Sequence, residues 1–212
     1  RVTRLGSSDL FNDTRLSKVN ITTVGQPVGM FYGYQIDGIY QNEQDVISSG
    51  VLPYGVATEN DLVASAWVGR YKMKDVNNDG KIDADDRTII GNPHPDLTGG
   101  FNISLTWRDF DLSTYMYYSI GNDLYKHYEY YTMFGNLQSN YSKDRLAKSW
   151  DPVNNPNCIY PLWTTTSTEG PEAGNESNSN YVQDGSYLRM QTLTLGLSLI
   201  HISEPTRPIS IS

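Results

Sequence analysis

The chain has 212 residues, a formal net charge of −8, 38% hydrophobic residues and one cysteine, Cys158. An acidic chain lacks the basic surface that phosphate binding requires, so the composition excludes a nucleic-acid partner. The lone cysteine excludes an intrachain disulfide and is too isolated for a zinc site. Charged residues make up only 19% while tyrosine occurs 16 times. This composition favours strands and loops, and we expect a mainly β fold.

The first element in chain order is a strand predicted over residues 32–40, which is punctuated by Gly33-Tyr34 and Asp37-Gly38. No apolar run in the sequence approaches the roughly 18 residues of a transmembrane helix. A transmembrane β-strand needs only about 10 residues of alternating polarity. A membrane location therefore stays open at this point.

Residues 75–86 follow, with oxygen-bearing side chains at the spacing of a calcium loop. A loop of this kind takes ligands from positions 1, 3, 5, 7, 9 and 12, with glycine at position 6 for a sharp turn. Gly80 stands at position 6. The predicted ligands are the side chains of Asp75, Asn77, Asp79, Asp83 and Asp86 and the backbone carbonyl of Lys81. The spacing predicts a structural Ca²⁺ site.

Two features separate this loop from a helix–loop–helix calcium sensor. Position 12 is Asp86 rather than glutamate, and its shorter side chain reaches a bidentate geometry less easily. The flanking sequence has no amphipathic helical pattern. We therefore expect a solitary structural loop between extended segments. The alternative is an Asp/Asn/Gly-rich turn that binds nothing.

The strongest strand signal is a hairpin over residues 101–118. Apolar and polar residues alternate in 101–107 and again in 110–118, and Arg108-Asp109 forms the turn between them. The apolar face would contact a second sheet in a soluble sandwich, or lipid in an outer-membrane barrel. Because the turn is tiny and the segments on either side of the hairpin are long, the pattern favours a barrel with short periplasmic turns and long extracellular loops.

Beyond the hairpin the pattern is weaker. Residues 143–150 predict a short helix that ends at the proline-rich run 151–156, and residues 164–180 predict an exposed, mobile loop. Residues 187–197 predict a last strand. Five aromatic residues in this part of the chain are candidates for stacking on a substrate or, alternatively, for packing the loops: Tyr128, Tyr130, Tyr131, Trp150 and Trp163.

Catalytic residues are not indicated. His94, His127 and His201 are scattered, and the sequence contains no nucleophile elbow, phosphate loop or two-histidine metal helix. The adjacent carboxylates Asp85 and Asp86 are better explained by the oxygen-rich loop than by acid–base chemistry. We therefore expect a protein that is not an enzyme.

Four sequence blocks carry a family resemblance. These are residues 25–34, 37–40, 74–95 and 182–189. In order and spacing they resemble the C-terminal barrel half of the SusC/RagA family of TonB-linked outer-membrane transporters. The resemblance spans residues 22–196, most of the chain.

The resemblance implies a partial antiparallel transmembrane β-barrel, open as a fragment, with long extracellular loops and a short helix. It further implies a Bacteroidota-type outer membrane, contact with its lipid, and import of oligosaccharides or peptides. The expected partners are a SusD-like lipoprotein on the outside and TonB, which would act through a plug domain in an absent N-terminal part. The calcium loop would then brace an extracellular segment.

The end of the chain departs from the family pattern. We expect residues 1–196 to be the barrel part, and residues 197–212 to be a non-native tail derived from a sequencing adapter. On this hypothesis the chain is a gene fragment that aggregates and does not transport by itself, because its open sheet edges are not satisfied in lipid. The alternative function is a soluble, calcium-stabilised, β-rich carbohydrate-binding module.

Overall fold

The computed structural model describes residues 10–12, 19–134, 141–162, 174 and 176–197. They fall into two compact units. The loop unit contains the described residues up to 94 together with 122–185, and the strand unit contains 95–121 and 186–197. No helix in the described part of the chain is long and apolar enough to span a membrane.

The strand unit is a three-stranded antiparallel sheet in the order β11-β8-β7. Its strands are β7 (Leu97–Trp107), β8 (Phe110–Ile120) and β11 (Tyr187–Leu197), and each has 11 residues. That is the length of a strand that crosses a bilayer. The two-residue turn Arg108-Asp109 joins β7 to β8, and Arg108 has a left-handed φ of 54°. The hairpin prediction is confirmed, and β7 and β8 are longer than the predicted segments 101–107 and 110–118. The strand predicted over residues 187–197 is confirmed with the same bounds.

One face of this sheet is mainly apolar and the other is polar. Phe101 of β7 is paired with Met116, Leu105 with Leu112, and Trp107 with Phe110, so the apolar side chains of neighbouring strands share a face. The opposite face is polar and carries mainly Ser, Thr, Asn and Tyr. The exposed apolar side chains of β7 and β11 on the first face are Leu97, Phe101, Ile103, Leu105, Trp107, Leu188, Met190, Leu193, Leu195 and Leu197.

The loop unit contains three small antiparallel sheets. The first has the order β1-β2-β3-β6, and the others pair β4 with β5 and β9 with β10. The strand bounds are β1 (Leu10–Asn12), β2 (Asn20–Thr23), β3 (Met30–Gly33), β4 (Ile36–Ile39), β5 (Tyr71–Met73), β6 (Thr88–Gly91), β9 (Asp123–Tyr125) and β10 (Val182–Asp184). The core of the unit is formed by Tyr34, Tyr71, Met73 and Ile82.

The single strand predicted over residues 32–40 was wrong in its extent. The chain forms β3 and β4 instead, which belong to different sheets. Between them Tyr34 pairs in parallel with Asn178, and Ile36 donates its backbone N–H to the Ser179 hydroxyl at 3.0 Å. A long-range partner therefore interrupts a segment that local sequence would continue.

That partner is residues 176–181, here called the strap. The prediction of an exposed loop over residues 164–180 was wrong for its part of the strap, because Ser177 and Asn178 are buried. Residues 163–173 and 175 of that prediction lie outside the described residues. Gly33 allows the strap to approach, since a Cβ placed there would lie 2.3 Å from the Ser177 carbonyl oxygen.

The described part of the loop unit also has three α-helices, α1 (Glu43–Ser48), α2 (His127–Met133) and α3 (Lys143–Ala147), and short 3₁₀ helices at Glu59–Asp61, Ala64–Ala66, Ala84–Asp86 and Ser179–Tyr181. The helix predicted over residues 143–150 exists but ends three residues earlier. Ser142 caps its start by accepting the Asp144 backbone N–H. Its end is set by Ser149 and Trp150, which turn into a bridge with Tyr160.

Candidate functional site

The oxygen-rich loop, residues 75–86, follows β5 and ends in a 3₁₀ turn at Ala84–Asp86. The Asp75 carboxylate accepts the backbone N–H groups of Asn78 at 2.6 Å and Gly80 at 2.8 Å. Asn78 and Gly80 both have left-handed φ angles, 60° and 83°, and Asn and Gly are the residues that tolerate this conformation. The sequence therefore folds into the tight turn that the calcium spacing predicts.

Asp86 closes the loop. It is fully buried, and its two carboxylate oxygens accept the backbone N–H groups of Val76 at 2.9 Å and Asp83 at 2.8 Å. Asp83 in turn accepts the N–H of Asp85 at 2.9 Å, which makes a capping box with Asp86. Asp86 thus joins the two ends of the loop by hydrogen bonds of its own.

Lys81 brings a positive charge to the same loop. Its ammonium lies 2.7 Å from an Asp83 oxygen and 3.7 Å from an Asp79 oxygen. The Lys81 hydrogen bond lowers the pKa of the Asp83 carboxyl, and Asp83 raises the pKa of Lys81 in return. Lys81 therefore places a single positive charge next to two of the predicted calcium ligands, and it is closer to Asp83.

The predicted ligands of the 75–86 loop are of the type that binds calcium, but their side chains are not arranged around a common point. Carboxylates, an amide and a carbonyl are the ligands that Ca²⁺ takes. Within the described ranges, however, no group of three or more His, Cys, Asp or Glu side chains is placed to hold a metal ion. At Asp79 and Asp83, a bound Ca²⁺ would compete with the Lys81 ammonium for the carboxylates. The calcium site stays a prediction.

The aromatic candidates divide into exposed and buried side chains. Tyr128 is 62% exposed and lies one helical turn from Tyr131, which is also exposed. Tyr130 is partly buried and stacks on the His127 ring, with centroids 5.9 Å apart and planes 9° apart. Helix α2 therefore presents tyrosine rings at the surface of the loop unit, where stacking on a ligand ring is chemically feasible.

Trp150 occupies a different environment. It is only 6% exposed, its indole N–H donates to Gln41 Oε1 at 3.0 Å, and its ring packs against Gly69. This is the loop-packing role that the sequence left as the alternative to stacking on a substrate. Trp163 lies outside the described residues.

Sequence reasoning missed a buried arginine. Arg145 lies under aromatic rings, with its guanidinium carbon 5.0 Å from the Phe134 ring centroid and 5.8 Å from that of Tyr160. It donates to Ser149 Oγ at 3.0 Å and to the Pro161 carbonyl at 2.9 Å, whereas its Nε has no hydrogen-bond partner among the residues that the structure describes. Burial lowers the pKa of Arg145 and raises that of the nearby Tyr160 to about 12. A basic residue on a short helix gives no sequence signal of burial.

The loop unit also contains an open cavity of about 470 Å³. Its polar lining includes the side chains of Gln41, Asn157 and Asn180, with Ile36 and Ile39 among the apolar residues. None of its lining residues is charged. An uncharged lining of this kind suits neutral groups.

Comparison with known proteins places these features in a family. No family model matches the chain. TonB-dependent receptor P3 of Formosa agariphila is 32% identical over 185 residues, which are 86% of this chain and 16% of the receptor. TonB-dependent receptor P26 of the same organism is 30% identical over 203 residues, 90% of this chain and 18% of the receptor. The chain thus spans less than a fifth of the length of these relatives.

This chain belongs to the TonB-dependent receptors. The resemblance to the SusC/RagA family is thereby confirmed, as are the mainly β fold and the location in the outer membrane. Because its relatives are receptors, the alternative of a soluble carbohydrate-binding module is not favoured.

Solved structures agree with the fold of a TonB-dependent receptor. The RagAB peptide importer in its open-open state matches with a TM-score of 0.56 at 19% identity, over 91% of this chain and 18% of the solved chain. A second structure, of the RagAB peptide transporter, matches with a TM-score of 0.57 at 20% identity. The match covers 89% of this chain and 18% of the solved chain. At this identity the likeness shows the fold alone.

Proposed function

We propose that this chain forms part of the wall and outer loops of a TonB-dependent importer in the outer membrane. The observation that carries the proposal is the strand unit, in which three paired 11-residue strands direct apolar side chains to one face and polar side chains to the other. A barrel wall needs this division, because one face contacts lipid and the other lines the lumen.

The connections of the strands support an orientation. At one end of the sheet Trp107 and Phe110 are joined by a two-residue turn. At the other end Leu97 pairs with Ile120 and Tyr187 pairs with Ser119, so every connection to the loop unit starts there. Outer-membrane barrels have short periplasmic turns and long extracellular loops. On this proposal the Arg108-Asp109 turn is periplasmic and residues 122–185 are extracellular.

The proposed cargo is an oligosaccharide or a peptide, and the proposed partners are a SusD-like lipoprotein and TonB. The family resemblance supports these assignments, and the matched RagAB structures are described as those of a peptide importer. In the extracellular part, Tyr128, Tyr130 and Tyr131 are proposed to contact cargo. The 75–86 loop is proposed to take Ca²⁺ as a structural ion, in competition with Lys81.

Cysteine labelling tests the proposed orientation. In the full-length receptor with Cys158→Ser as background, Val153→Cys places a thiol on an 83% exposed loop residue, and Asp109→Cys places one in the short turn. A membrane-impermeant maleimide added to intact cells is expected to label position 153 and to label position 109 only after the outer membrane is permeabilised. Labelling of position 109 on intact cells, with position 153 protected, would refute the proposal.

A further inference from the structure

Strand β11 changes the phase of its alternation part-way along. Leu188 and Met190 are followed by apolar residues at 193, 195 and 197. Successive side chains of a regular strand point to opposite faces. The spacing of three between Met190 and Leu193 would therefore place the two ends of β11 on opposite sides of the sheet.

A bulge corrects this phase. Met190 pairs with Met116, Thr192 with Tyr115 and Leu193 with Thr114, so Gln191 is an extra residue on the β11 side of the ladder. A bulge sets two residues against one on the partner strand. Leu193, Leu195 and Leu197 consequently return to the face that holds Leu188 and Met190.

The bulge also disrupts the hydrogen-bond ladder within the apolar sheet. In hydrocarbon, water is not present to satisfy a backbone group that loses its partner. Beside the bulge, the Thr114 hydroxyl donates to the Thr192 carbonyl oxygen at 3.1 Å. Thr114 is the polar residue in the middle of the apolar face of β8, and it is 9% exposed, whereas its cross-strand neighbours Ile103 and Leu193 are 51% and 59% exposed.

We propose that Thr114 is the cap of the β11 bulge. Its hydroxyl satisfies the Thr192 carbonyl at mid-strand, where lipid cannot, and the need for it arises from the extra residue Gln191. Gln191 is accordingly a residue of β11 whose removal leaves a regular ladder with both faces unchanged. The proposal rests on the strand unit crossing the membrane, which the labelling experiment above tests separately.

A double-mutant cycle in the full-length receptor tests the cap. The readout is the folded fraction of the barrel in outer membranes across a guanidinium series, measured as migration on gels without heating. Thr114→Val removes the hydroxyl at nearly constant shape and is expected to lower the folded-to-unfolded ratio about tenfold at a fixed denaturant concentration, because the Thr192 carbonyl oxygen loses a donor that lipid cannot replace. Thr114→Ser keeps a hydroxyl and is expected to retain most of the ratio.

Two single-residue deletions in β11 distinguish a role of Thr114 as the cap of the bulge from a role in general packing. Deletion of Gln191 is expected to leave the receptor assembled, whereas deletion of Thr194, the control, moves Leu195 and Leu197 to the polar face and is expected to abolish assembly. With Gln191 deleted, Thr114→Val is expected to have little effect. The proposal is overturned if Thr114→Val is as harmful without the bulge as with it, if Thr114→Val has no effect in the intact receptor, or if the two deletions are equally harmful.

Discussion

Gly33→Ala is expected to detach the strap from strand β3. A Cβ on residue 33 would lie 2.3 Å from the Ser177 carbonyl oxygen, 2.6 Å from its carbonyl carbon and 2.7 Å from its Oγ. Two of these atoms belong to the backbone, so a side-chain rotation cannot relieve the contact. The strap must move by about 1 Å to reach ordinary van der Waals distance.

The cost follows from the hydrogen bonds that such a movement would break. Tyr34 donates its N–H to the Ser177 carbonyl at 2.9 Å, and Ser179 donates its N–H to the Tyr34 carbonyl at 2.9 Å. The Ser177 hydroxyl donates to the Tyr32 carbonyl at 2.8 Å. At roughly 1 kcal/mol each, loss of these bonds amounts to about 3 kcal/mol of unfolding free energy.

The assay is guanidinium unfolding of the receptor, read together with protease cleavage of the strap. Gly196→Ala is the matched control, since a Cβ at residue 196 meets its nearest atom at an ordinary 3.5 Å. We expect Gly33→Ala to lower the unfolding midpoint and expose the strap to cleavage, and Gly196→Ala to do neither. Equal behaviour of the two variants would refute the reasoning from close approach.

Three further predictions concern the sheet and the loop. Ile103→Lys places a charge in the middle of the apolar face and is expected to cost about 2–4 kcal/mol of barrel stability. Asn102→Lys, on the polar face, is the control and is expected to cost little. Equal unfolding midpoints of the two variants would contradict the assignment of faces. Asp86→Ala is expected to cost about 3 kcal/mol because two backbone N–H groups lose a charged acceptor, and the exposed Asp85→Ala serves as the control. The pKa of Asp83 is lowered in the fold, chiefly by its lysine partner. The stability gained from this ionised group is therefore present at neutral pH and lost only below about pH 4, and the difference between wild type and Asp83→Asn should vanish there in a pH series of unfolding midpoints.

The local sequence pattern predicted those structural features whose physical cause lies within a few neighbouring residues. Alternation over residues 101–118 predicted the hairpin, since a strand has a period of two and one turn joins its halves. The tight turn of the 75–86 loop also followed from sequence, because Asn78 and Gly80 favour left-handed backbone. The phase change at Gln191 is visible in the spacing of apolar residues, and counting that spacing would have predicted the bulge.

The remaining features depend on partners distant in the chain. Residues 32–40 have the sequence pattern of one strand. In the structure, Tyr34 pairs with Asn178 of the strap, more than 140 residues later in the chain, and this pairing interrupts the strand. Trp150 was a candidate for stacking on a ligand in the sequence, but in the structure it is buried against Gln41 and Gly69. No local sequence pattern indicates which distant segments will contact each other, because such contacts depend on the path of the whole chain.

The sequence by itself determined the family, the mainly β fold and the apolar and polar faces of the hairpin, because these follow from residue order and from alternation with a period of two. The tertiary structure alone decided which polar groups are buried and what satisfies them: Asp86 inside its own loop, Arg145 beneath aromatic rings, and Thr114 at the bulge. Burial is a property of neighbours, and neighbours exist only once distant segments have packed together.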